Sequence, residues 1–143
     1  LTSNDAAKEL CDAVDANTAA DAGTVVFGYK TAGAGIGGVV TQATSRSTAV
    51  TLSTLCGQIT TSSASLAAEA AAEFTVTNTQ VKQGDVVALC QQSGSNGGNT
   101  DAYVSTVADG SFKVKVANNN PAAGTAETGA IILNFAIIRA VDS

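Results

Sequence analysis

The chain has no histidine, tryptophan or methionine, and across 143 residues it has six aromatic side chains, one proline, three cysteines and seven Lys plus Arg. Each scarcity removes a class of chemistry. Without histidine there is no Ser-His or Cys-His nucleophile pair, and most zinc sites are excluded. Cys11, Cys56 and Cys90 lie far apart in an odd-numbered set with no CxxC pair. They read as small apolar residues of a protein made in a reducing cytosol rather than as a disulfide framework. The basic residues Lys8, Lys30, Arg46, Lys82, Lys113, Lys115 and Arg139 are scattered along a chain of net charge −5. Phosphate recognition needs them clustered, so no nucleic-acid partner is expected. No apolar run approaches the roughly 20 residues of a membrane helix. Residues 1–20 carry neither the basic nor the apolar region of a signal peptide, so neither a membrane nor a secretion role is expected of them.

What is abundant is small or uncharged. There are 27 Ala and 18 Thr, and 45% of the residues are hydrophobic. Charge is too sparse for a solvated tail, and the length suits one domain with a two-layer core built from Val, Ile, Leu and Ala. A surface of Thr, Ser, Asn and Gln forms hydrogen bonds without carrying charge, which suits packing into an assembly.

Residues 3–16, "SNDAAKELCDAVDA", place Ala7, Leu10, Cys11 and Val14 on one helical face, with capping oxygens at Thr2, Ser3 and Asn4. The stripe is narrow, so this short N-terminal helix must dock on something to persist. Strand-like runs follow at 24–30, 38–44, 47–55 and 57–62. Residues 64–73 are Ala-rich and read as a loop with at most one helical turn. Further strands are expected at 73–79, through Cys90 after a turn at Gln83-Gly84-Asp85, and on both sides of Asp109-Gly110, a favoured two-residue turn. Residues 93–100 and 119–129 form polar loops. About eight short strands with frequent turn signals predict an all-β fold, an antiparallel β-sandwich or jelly-roll-like barrel. The division expected is 1–38 for the helix, first strand and Gly-rich connector, and 39–143 for the sandwich.

Several motifs dissolve on inspection. Gly33, Gly35 and Gly38 match G-x-G-x-x-G, but the β-branched run "VVTQATS" follows where a dinucleotide fold needs a helix. They read as a connector, and no cofactor is expected. Asp12 and Asp15 fall on the solvated side of the helix. A glycosidase would need two acids across a cleft, with Glu73 and either Asp85 or Asp101 as the only pairings worth weighing. The loop "NGGNTD" at 96–101 has oxygen ligands but no EF-hand spacing. No catalytic residue and no metal site is assigned, and the chain is not expected to be an enzyme.

The run "GAIILNFAIIRAV" at 129–141 is too apolar for a strand with one wet face. Alternation puts Ile131, Leu133, Phe135 and Ile137 on one side and Ile132, Asn134, Ala136 and Ile138 on the other. The first set is assigned to the core and Ile132, Ala136 and Ile138 to a subunit contact; a shift of one residue would exchange them. The cover for the second face is either the chain's own N-terminal helix or a loop, or another copy of the chain.

The phrases "EFTVTNTQVKQGDVVALCQQSG", "AYVSTVADGSFKVKVAN" and "AIILNFAII", within residues 57–139, resemble a β-rich module of structural proteins in tailed-phage particles. Such modules occur in capsid decoration (cement) proteins and in head or tail fibres. The resemblance implies a jelly-roll-like sandwich, a homotrimer and a place on the outer surface of the virion capsid after assembly in the bacterial cytoplasm. It offers no catalytic residue to transfer. Under it, the partners are other copies of the chain and the major capsid protein, and Leu10, Cys11, Val14, Gly33, Gly35 and Gly38 are candidates for capsid contact. The alternative within the same resemblance is a fibre domain that binds a host receptor or glycan.

Overall fold

A computed structural model describes residues 37–94 and 99–140. The expected N-terminal helix, the strand at 24–30, and Leu10, Cys11, Val14, Gly33 and Gly35 lie outside the described residues. The described residues all belong to one compact unit, Gly33–Ser143.

Eight strands form two four-stranded sheets: β1 (Gly38–Thr41), β2 (Val50–Thr51), β3 (Cys56–Thr60), β4 (Ala71–Thr77), β5 (Val86–Ser93), β6 (Thr100–Ala108), β7 (Ser111–Asn118) and β8 (Ile132–Ile138). One sheet has the order β1-β3-β8-β5 and the other β2-β4-β7-β6. The first four strands alternate between the sheets, so β1 pairs β3, and β2 pairs β4, in parallel. The remaining pairings are antiparallel. The architecture is sandwich-like with mixed sheets. An all-antiparallel jelly roll is not what forms, because the chain crosses to the opposite sheet between each pair of parallel neighbours.

The core is made by one parity of each strand. Ile59 from β3 and Leu133, Phe135 and Ile137 from β8 meet Phe74, Val76, Phe112, Val114 and Val116 from β4 and β7. Phe112 and Phe135 touch across the two layers, with ring centroids 5.3 Å apart and planes at 57°, a tilted arrangement favoured by ring quadrupoles.

Two local expectations change, the strand over 47–55 and the start of β4, while the loop at 64–73 and the Asp109-Gly110 hairpin form as expected. The strand sought over 47–55 shrinks to Val50–Thr51, because the segment passes from one sheet to the other. Leu52 closes over Gly38 and Gly57, where an added Cβ would come within 2.7 Å of its methyl groups. The Ala-rich run forms no helix. Leu66 exchanges backbone hydrogen bonds with Glu127, a turn closes from Ala70 N to Ala67 O, and Glu69 takes a left-handed φ of 60°. Tertiary pairing thereby overrides alanine's helical preference, and β4 starts at Ala71 rather than Glu73. The hairpin at Asp109-Gly110 forms with Gly110 at φ 77°, a conformation glycine adopts at no steric cost.

A candidate interaction surface

The two sheets differ in charge. Strands β1, β3, β5 and β8 read GVVT, CGQIT, VVALCQQS and ILNFAII, with no Asp, Glu, Lys or Arg among them. Strands β4, β6 and β7 of the other sheet carry Glu73, Asp101, Lys113 and Lys115. On that second sheet Lys113 lies 3.2 Å from Glu73. The Ser105 hydroxyl, followed by Lys113, holds the Glu73 carboxyl below its ordinary range.

The outer face of the first sheet follows from its registers. Val39 stands beside Gln58, Gln58 beside Asn134, and Asn134 beside Cys90. In the next row Cys56, Ala136 and Ala88 are neighbours, and Ile138 pairs with Val86 beyond them. Thr41, Thr60 and Ile132 close the opposite end. Val39, Val86 and Ile138 are 77%, 50% and 54% exposed, and the other large exposed apolar residue among those described is Tyr103 on the second sheet. Ile132 and Ala136 are half-buried and share this outer face with Ile138. Ile131, just ahead of the strand, and Leu133, Phe135 and Ile137 within it are buried.

At the centre of the face three amides bind one another. Gln58 Nε2 donates to Gln92 Oε1 at 2.8 Å and to Asn134 Oδ1 at 3.1 Å, while Asn134 Nδ2 donates to Gln92 Oε1 at 3.2 Å. Gln92 reaches this position because the β5–β8 register shifts between Gln91 and Ser93. Such a bulge re-aims a side chain that regular pairing would place elsewhere.

An ion pair marks the rim, and a buried arginine fastens the interior. Arg139, just past β8, grips Asp85, just before β5, through Nε–Oδ1 at 2.6 Å and Nη2–Oδ2 at 3.2 Å. Burial pushes the Asp85 carboxyl up. The Lys82 backbone N–H, 2.9 Å away, and Arg139 outweigh that push and hold it below its ordinary value. Within the fold Arg46 is buried, donating to the carbonyls of Ala64, Glu127 and Gly129 and to the Thr61 hydroxyl. Burial lowers its pKa, opposed by the charge of Glu127. Buried Gln42 spends its amide on the carbonyls of Arg46 and Thr48 and accepts from Ser62 N. These groups fasten loops, and none is left free to react.

The acids weighed for glycoside chemistry do not share a cleft. Asp85 is committed to Arg139, and Glu73 and Asp101 stand on the outside of the second sheet with β7 between their strands. Asp101 accepts from Asn119 Nδ2 at 2.7 Å. Among the described residues, no three His, Cys, Asp or Glu side chains gather as a metal site, and no helix is long and apolar enough to cross a membrane. A groove of 490 Å³ lined by Thr41, Thr44, Thr60, Thr61, Ser62 and Ser63 adjoins one corner of the uncharged face.

Gly38, weighed for capsid contact, opens β1 and packs inward against Leu52, which accounts for the absence of a side chain there. Sequence reasoning missed Gln58, Gln92 and Val86 as members of the face. Their signal was the lack of charge in four separate strands, readable only once those strands are known to be one sheet. Neither family models, curated proteins nor solved structures provide a match to this chain.

Proposed function

We propose that the protein is a structural component of an assembly, a phage capsid decoration protein that trimerises and bridges neighbouring capsomers on the outer surface of the head. The observation that carries the reading is the uncharged outer face of the β1-β3-β8-β5 sheet, with Val39, Val86 and Ile138 exposed on it. Leaving a large aliphatic side chain in water forgoes about 1.5–3 kcal/mol relative to burial, so this surface favours association. The sequence resemblance supplies the setting, and symmetric subunits would present repeated contact patches to a shell. Repeated weak contacts hold strongly through effective concentration. A binder that prefers the mature shell stabilises it by its differential affinity.

Reconstruction of phage particles carrying this chain tests the reading. Density for it at every symmetry-equivalent site of the shell is expected. Copies confined to an appendage would favour a fibre role, and absence from particles would end the virion reading.

A further inference from the structure

We infer that the Gln58–Asn134–Gln92 amide cluster is the polar centre of a homotypic contact, in which the uncharged face of one copy meets the same face of another at a symmetry axis. This rests on the assembly reading above and adds the identity of the partner surface and the residues that set its register.

The first argument is charge. Each copy carries a net charge of −5, so copies repel unless they meet where charge is absent. The face formed by β1, β3, β8 and β5 has no charged side chain. An acidic or basic partner finds nothing there to pair with, whereas an identical face brings no like-charge repulsion.

The second argument is hydrogen-bond stoichiometry. Gln58 Nε2 spends both protons inside the cluster, and Gln92 Oε1 accepts twice. Among the described residues, Gln58 Oε1 and both protons of Gln92 Nε2 are left unspent, as is one proton of Asn134 Nδ2. The cluster therefore offers an acceptor on one flank of Asn134 and donors on the other. A copy related by an axis over β8 would set Gln92 Nε2 against the partner's Gln58 Oε1, satisfying both. A polar group within an apolar contact costs free energy when mismatched, which selects one register among many.

Asn134→Lys and Asn134→Asp, made separately, test this by sedimentation velocity. Each should weaken self-association at least about tenfold, through like charges opposed in a desolvated contact, and mixing the two should restore it in part, because a mixed trimer opposes unlike charges at two of its three contacts. Ala88→Lys, on an edge strand of the same face, should also dissociate the copies and provides a second reading should Asn134 substitutions impair folding; matching circular dichroism separates dissociation from unfolding. If all variants assemble as the unsubstituted chain does, the face is not the contact and the inference fails. If both Asn134 variants dissociate but their mixture does not reassemble, the face meets a different surface and the homotypic claim alone fails. An unsubstituted chain that never self-associates overturns the trimer reading itself.

Discussion

Val86 and Ile138 are register partners on adjacent strands, and each leaves about half of its side chain in solvent. One residue along, Ile137 and its register partner Val87 turn inward to the core. Both faces of β8 are thus apolar, and only one is covered within the described residues. Ile132→Asp or Ile138→Asp should release subunits from the proposed trimer, read by size-exclusion chromatography with light scattering. Trimers that survive both changes would refute the assignment of this face to the contact.

The two parities of β8 should also differ in stability. Phe135→Ala removes a ring packed against Phe112 and should cost about 3–5 kcal/mol in urea unfolding. Ile138→Ala, measured on dissociated protein, should stay within about 0.5 kcal/mol. Equal costs would contradict the inward placement of Phe135.

Gly57 and Gly38 are register partners beneath Leu52, yet their surroundings differ. A Cβ at Gly57 would meet Leu52 at 2.7 Å, the Gly38 carbonyl oxygen at 2.9 Å and the Phe135 ring at 3.0 Å, whereas at Gly38 the close neighbour is the flexible Leu52 side chain. Gly57→Ala should destabilise by roughly 1–3 kcal/mol and Gly38→Ala by less. Chemical denaturation of the pair checks the order.

Asp85 and Arg139 tie the ends of β5 and β8 at the rim of the uncharged face. Because the folded carboxyl titrates below its ordinary value, its contribution is complete above the unfolded pKa of about 3.9 and is lost as pH falls through the lower folded value. Asp85→Asn should therefore be less stable than the parent at neutral pH, with the gap narrowing on acidification below about pH 4. Urea midpoints taken across that range check it; a constant gap would contradict the assignment.

Much of the fold was legible because its signals are local. The alternation in β8, the Asp109-Gly110 hairpin and the turn at Gly84, where φ is 95° and Asp85 N bonds to Lys82 O, each depend on a few adjacent residues. The parallel pairings were not legible, since nothing in "GVVT" or "VT" says that the chain will cross to the opposite sheet before the next strand. The Ala-rich run was legible as a loop, but its pairing was not, because Leu66 bonds to Glu127, far along the chain. For the face, Ile132, Ala136 and Ile138 could be read from one strand. Gln58 and Gln92 could not, because a cross-strand register and a bulge bring them to Asn134.

Sedimentation equilibrium of the unsubstituted chain over a wide concentration range tests the account most directly. It predicts a species of three times the 14.1 kDa chain mass that persists on dilution. A single species of 14.1 kDa at the highest concentrations reached would mean that no second copy covers the uncharged sheet, and would contradict it.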